Sequence, residues 1–390
     1  MKLKQGLHLA YCTNIHRGET WSQTFETLCQ YTLAVRDQLG AREPFAIGLR
    51  LGYQSARELS DPTTLKEFQA WLDRENCYVF TINGFPYGRF HGGRVKEDVY
   101  SPDWTTQERL DYTLLLFELL SKLVPAGVSG SVSTVPGSYK EFITSPAQEK
   151  AIRDNLWRAV DGIERLSQSS GRDLHLGVEP EPLCYLETTE EALRFFEQLR
   201  MDRPGDDRIN RRLGINYDCC HLAIEYEDAG KSLASLAAAG IRLSKLHFSA
   251  ALKVRPTVEC REALKSFVEP VYFHQVIERP VGGGALKRYR DLDLALAVAP
   301  LWPADQMPEW RIHFHIPLHQ QPSAMFGTTA DHLLGAMDFV QAHPGLCEHI
   351  EMETYTWEVL PSDIKNRSVV DQLVGEYRWT LGQLAQRALA

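Results

Sequence analysis

An order of segments restricts the fold of this chain more than any single motif does. Short apolar, β-branched runs end in polar residues, and amphipathic stretches follow them. Strands are predicted at 7–12, 45–51, 77–82, 128–134, 174–178, 213–217 and 243–246. Helices are predicted over 21–39, 65–73, 105–124 and 148–168, with Asp61 as the N-cap and Pro62 in the first turn of the second. Strands that alternate with helices pair in parallel, because a parallel partner is reached through a crossover, and such crossovers are right-handed. So many units in succession fit a closed barrel better than an open sheet. No G-x-G-x-x-G follows the first strand, which counts against a dinucleotide-binding fold. The expected fold is an α/β protein, a (β/α)8 TIM barrel built as one domain from residues 1–390.

The eighth strand has two candidates, 310–316 (WRIHFHI) and 348–354 (EHIEMET). Ahead of them come a strand-like run at 271–277, the turn Gly282-Gly283-Gly284 and a further piece at 285–289. Residues 252–309 are therefore read as an insertion carrying a hairpin over the barrel mouth, before the last strand.

Composition narrows the function classes. The formal net charge is -9, and the densest basic segment, 287–290, is followed at once by Asp291 and Asp293. A nucleic-acid partner would call for a basic face, so none is expected. No apolar run reaches the roughly 18 residues of a membrane span, and the N-terminus lacks the apolar stretch of a signal peptide. The 8 cysteines include no C-x-x-C pair, so neither a zinc knuckle nor a disulfide framework is indicated, and a cytoplasmic location is expected. Neither G-x-S-x-G nor G-x-x-x-x-G-K-[ST] occurs, which leaves serine acyl transfer and nucleotide hydrolysis without support.

In a barrel of this kind, residues at the carboxyl ends of strands point into the active-site mouth. Glu179, Asp218, His247 and Glu353 occupy such positions. Three carboxylates and one imidazole suit one divalent ion, Mn²⁺ or Mg²⁺ before Co²⁺ or Zn²⁺, with positions left for a substrate. Each residue also has a bland role: Asp218 as the N-cap of the segment from Cys219, His247 as a satisfied core histidine, Glu179 as a strand-end carboxylate. Glu351 competes with Glu353, and Glu181 with Glu179. His221 follows Asp218 by three residues, close enough to lean over the same mouth and act on a substrate oxygen. The loop 83–103 is rich in glycine and aromatics. Phe85, Tyr87 and Phe90 would wall a ring, while Asn83, Arg89 and His91 would hydrogen-bond it. His313 and His315 fall on one face of a strand, where they would touch substrate, recruit a second metal or be structural.

Glu179-Pro180-Glu181-Pro182, Asp218-x-x-His221, Lys245-Leu246-His247 and a glutamate at the last strand resemble the xylose isomerase-like sugar isomerase/epimerase superfamily. The resemblance implies that Glu179, Asp218, His247 and Glu353 bind the metal, and that His221 contacts substrate. The segments FTINGFPYGRFHG, EMETYTWEVLP and HLAYCTNIH look like the EboE-type proteins, the barrel members of the Ebo gene clusters, labelled metabolite traffic. That likeness implies a role in making or moving secondary metabolites.

The leading expectation is a metal-dependent isomerase or epimerase of a sugar, cyclitol or related polyol. Glu179, Glu353 and His221 are the catalytic candidates. Asn83, Tyr87, Arg89, His91, Glu181 and His315 are the substrate-binding ones. A carrier that keeps the mouth without turnover is one rival, and a metal-dependent hydrolase is another. Partners expected besides the small molecule are other Ebo-cluster proteins and a second copy of the chain.

Overall fold

In the computed structural model, which describes residues 1–361, 365 and 367–390, seven strands come first: β1 (His8–Tyr11), β2 (Phe45–Arg50), β3 (Cys77–Asn83), β4 (Gly130–Thr134), β5 (Leu174–Val178), β6 (Leu213–Asp218) and β7 (Arg242–Phe248). Five more follow: β8 (Ala251–Val254), β9 (Val276–Arg279), β10 (Lys287–Tyr289), β11 (Glu309–His315) and β12 (Phe326–Thr328). The last is β13 (His349–Met352).

Strands β1–β7 and β13 form one parallel sheet in the order β1-β13-β7-β6-β5-β4-β3-β2. A parallel bridge from Cys12 to Gly48 joins its two edges and closes the barrel. Nearly every residue of these strands is buried, as expected where helices cover one face and side chains fill the other. The helical expectations hold. Helix Pro62–Arg74 starts at Asp61, whose carboxylate accepts from the N–H groups of Thr63 and Thr64. Helix Gln107–Leu123 is capped by Thr106, and Pro146–Ser170 follows β4. Among the described residues no helix is long and apolar enough to cross a membrane.

Of the two candidates for the eighth barrel strand, 348–354 contains it, as β13 between β1 and β7. The rival 310–316 is β11, the middle strand of a second, five-stranded antiparallel sheet ordered β10-β9-β11-β8-β12. The inserted structure thus runs from Ala251 to Thr328, beyond the expected 252–309 at both ends, because β11 pairs with β8 on one side and β9 on the other. Alternation along β11 explains its double burial. Trp310 and Phe314 pack with Tyr289, Trp302 and Phe267, while His313 and His315 share the opposite face, against the barrel mouth.

Candidate metal centre

Register places the site. Asp218 on β6 lies beside His247 on β7, and His247 lies beside Glu351 on β13. Glu353, two residues beyond Glu351, faces the same way one layer higher. Glu179 directly follows β5. One donor atom from each of Glu179, Asp218, His247 and Glu353 lies within 4.8 Å of the others, and all four side chains are buried. The four residues expected to meet at the strand ends do meet.

Their hydrogen bonds are divided in a consistent way. Asn216 Nδ2 donates to Glu179 Oε2 (2.6 Å) and Asn14 Nδ2 to Glu353 Oε1 (2.6 Å). Ser249 Oγ and the backbone N–H of His221 donate to Asp218 Oδ1 (2.7 and 3.0 Å). One oxygen of each carboxylate is thereby tethered, and the other faces the centre. His247 Nδ1 is 2.9 Å from Glu353 Oε2, 3.1 Å from Glu179 Oε1 and 3.4 Å from Asp218 Oδ2. Asp218 thus fills both roles open to it in the sequence: Oδ1 caps the helix Cys219–Ile224, and Oδ2 turns to the cluster.

These residues fit a divalent cation. Donors about 2.0–2.2 Å from one ion, at angles of about 90–110°, lie roughly 2.8–3.6 Å apart, which the three His247 distances match. Asp218 Oδ2 is buried with no hydrogen-bond partner. Such an atom costs desolvation energy unless a charge answers it. The electrostatics show the same demand for positive charge. Burial alone would lower the His247 imidazole, yet Glu353 and Glu179 hold it well above its ordinary value. Asp218 is held well below the usual carboxylate range against burial, by His221 and His247.

Three side chains support the cluster from below, and the sequence reading missed them as a set. His247 Nε2 faces Glu351 Oε2 at 3.0 Å, and Lys245 Nζ donates to the same oxygen at 2.5 Å. Burial would raise the Glu351 carboxyl, but Lys245 and His247 hold it at about 2. Glu351 therefore orients the imidazole, and Glu353 faces the centre. Gly48 makes this possible: a Cβ there would lie 1.9 Å from Glu351 Oε1. Asn216 was missed outright, Lys245 entered only within a motif and Glu351 only as a rival ligand to Glu353; the three stand two positions before Asp218, His247 and Glu353. Period-two alternation at these strand ends was the signal that could have found them. Asn14, on the loop after β1, carries no such signal.

The cluster opens into a cavity of about 50 Å³ whose floor includes Glu179, Glu181, His221, His313 and Glu353 and whose wall includes Phe85 and Phe90. Burial raises the Glu181 carboxyl to about 7, and Tyr100 donates to it at 2.7 Å. The other substrate-contact candidates do not line this cavity. Asn83 donates to Cys12 Sγ and weakly to Glu353 Oε1 (3.2 and 3.4 Å). Tyr87 stacks on Tyr53, and Arg89 is exposed on another face. His91 bridges the Asn14 carbonyl and the Tyr272 hydroxyl (2.6 and 2.7 Å). His315 is bound through Nδ1 to the Glu353 carbonyl (3.0 Å).

No family model and no curated protein matches the chain by sequence. Solved structures do match by fold. L-ribulose 3-epimerase is 12% identical over 99% of this chain and 96% of that chain, with a TM-score of 0.51. A xylose isomerase-like TIM barrel protein from Mycobacterium smegmatis, in complex with magnesium, is 12% identical over 98% and 97%, with a TM-score of 0.52. At such identities the likeness speaks for the fold alone: this chain is a (β/α)8 TIM barrel, with an antiparallel sheet inserted before its last barrel strand.

Proposed function

We propose that the chain is a divalent-metal-dependent isomerase or epimerase of a sugar, cyclitol or related polyol, and an EboE-type protein of secondary-metabolite biosynthesis or traffic. The observation that carries the reading is the convergence of Glu179 Oε1, Asp218 Oδ2, His247 Nδ1 and Glu353 Oε2 at the mouth of a barrel, each carboxylate tethered by its other oxygen. The mostly oxygen donor set favours Mn²⁺ or Mg²⁺, with Co²⁺ or Zn²⁺ accepted. Bound there, the ion would hold substrate oxygens and polarise a carbonyl.

The chain's own residues supply the rest. Glu179 follows β5, two strands from β7, and Glu353 follows β13, next to β7, so the two stand on opposite sides of His247. A substrate carbon between them has a carboxylate on each side, so one accepts its proton and the other returns a proton to the opposite face. Phe85 and Phe90 offer an apolar wall to the carbon face of a ring, and the Glu181 carboxyl offers a hydrogen bond to a hydroxyl.

The test is proton exchange in D₂O, followed by NMR, on a panel of ketopentoses, ketohexoses and keto-cyclitols with Mn²⁺-loaded protein. Exchange at the carbon next to the carbonyl is expected, and its loss in Glu353→Gln with the fold retained. A second reading, a metabolite carrier without turnover, is favoured by one observation: Asn216 and Asn14 hold the outer oxygens of both glutamates, which leaves each a single free oxygen. Binding of a panel member with no exchange would select the carrier and sink the epimerase.

A further inference from the structure

We propose that the substrate of this site carries an amino group, as in an amino sugar or aminocyclitol, and that its ammonium sits on Glu181 among aromatic rings. The inference names the substrate class of the metal-dependent site and rests on that reading. It begins with a carboxylate that no charge answers. Glu181 is 5% exposed and lines the cavity beside Glu179 and Glu353. It does not belong to the group that fits the metal ion. Tyr100 donates to its Oε1 at 2.7 Å, and among the described residues nothing donates to Oε2.

The cations nearby are engaged elsewhere. His221 Nδ1 lies 3.0 Å from the Pro180 carbonyl and His313 Nδ1 2.7 Å from Gln275 Oε1, while the two Nε2 atoms face each other at 3.0 Å. His313 Nδ1 stays 3.9 Å from Glu181 Oε1. Among the described residues that line the cavity, Lys96 alone carries an ammonium or guanidinium group, and its Nζ is paired with Asp291. The three ligand carboxylates exceed the charge of a divalent ion, and Glu181 adds to the excess. A single proton shared by the two imidazoles would not cancel it. Such a cavity repels a phosphate or carboxylate and attracts a cation. A buried carboxylate is stable only when paired and hydrogen-bonded. An ammonium supplies charge and N–H together, where a hydroxyl supplies the hydrogen bond alone.

The walls suit the same group. Phe90 lies 5.1 Å from Tyr272 and 5.3 Å from Tyr355, between ring centroids, and Phe85 lies 5.9 Å from Tyr100. All five line the cavity. The hydroxyls of Tyr100 and Tyr272 are taken by Glu181 and His91, so both residues present rings rather than donors. Aromatic rings attract an ammonium through their negative faces. A neutral polyol would use these walls too, but it would leave the charge of Glu181 unanswered.

Isothermal titration calorimetry of the Mn²⁺-loaded protein tests the inference with matched pairs: 1-amino-1-deoxy-D-fructose against D-fructose, D-glucosamine against D-glucose, and scyllo-inosamine against scyllo-inositol. The amino member of at least one pair is expected to bind about tenfold more tightly than its neutral partner, or better. N-acetyl-D-glucosamine, which has lost the charge, should bind no better than D-glucose. Glu181→Gln should abolish the difference while metal analysis shows Mn²⁺ retained. Binding of no amino member, equal binding within every pair, or tighter binding of D-fructose 6-phosphate than of D-fructose overturns the inference. So does a preference that survives Glu181→Gln, which would put the nitrogen on the ion. Amino preference without proton exchange selects the carrier with this ligand class; exchange of neutral sugars without the preference keeps the epimerase and removes the amine. If the protein takes up no Mn²⁺ the metal reading falls, and the same pairs on metal-free protein still decide on the ammonium, because Glu181 is outside the ligand group.

Discussion

Glu351→Gln separates the support of the metal centre from its ligands. In the native protein Glu351 Oε2 joins His247 Nε2 (3.0 Å) to Lys245 Nζ (2.5 Å), and none of the three side chains is more than 1% exposed. Glutamine keeps the volume and an acceptor oxygen for His247, but it removes the charge opposite Lys245. The other hydrogen-bond partner of the ammonium is Ser133 Oγ, at 3.2 Å, which supplies no charge. Breaking a buried pair by removing one partner costs about 3–5 kcal/mol. Loss of the carboxylate behind a metal-binding histidine weakens metal binding about 10–100-fold. Urea denaturation of the metal-free protein reads the first effect, and competition with a chelator of known affinity reads the second. Lys245→Met/Glu351→Gln should recover most of the stability and leave metal binding weak, because it removes the stranded charge without restoring the carboxylate. Stability of Glu351→Gln within about 0.5 kcal/mol of wild type would refute the charge argument. Unchanged metal affinity in both variants would refute the orienting role.

Glu376 offers a pH test away from the centre. It is fully buried on the helix Val369–Gln386, and burial raises its carboxyl from 4.5 to about 7, though Thr354 and the Leu318 N–H donate to it. The folded chain therefore holds a proton that the unfolded chain releases, so this group erodes stability as pH rises from about 4.5 through about 7. Glu376→Gln should be more stable than wild type by about 3 kcal/mol at pH 8 and nearly equal at pH 4.5, read by urea denaturation; equal stability at both would count against the shift. Gly48→Ala places a methyl 1.9 Å from Glu351 Oε1 and 2.6 Å from the Tyr11 carbonyl. It should destabilise by about 1–3 kcal/mol and also loosen metal binding; a neutral result would show that β1 and β2 separate easily.

Local chemistry made much of this protein readable from its sequence. Strand runs closed by Glu179, Asp218 and His247 announced a parallel barrel and the end where its site lies, because the two-residue alternation of a strand is written in the chain itself. The cap at Asp61 and the helices after β2, β3 and β4 were readable for the same reason. Pairing is different in kind, since it depends on which edges remain free once the other strands are placed. WRIHFHI and EHIEMET carry equally good strand patterns, yet β13 fills the gap between β1 and β7, while β11 pairs with β8 and β9. Glu351 and Glu353 lie on one strand face, and the choice between them rests on Lys245, Gly48 and Asn14, which are remote in sequence. The meeting of His221 with His313 spans 92 positions and depends on a second sheet folding back over the barrel. Residue type and periodicity determined which side chains could serve; only the closure of the barrel and the docking of the inserted sheet decided which of them touch.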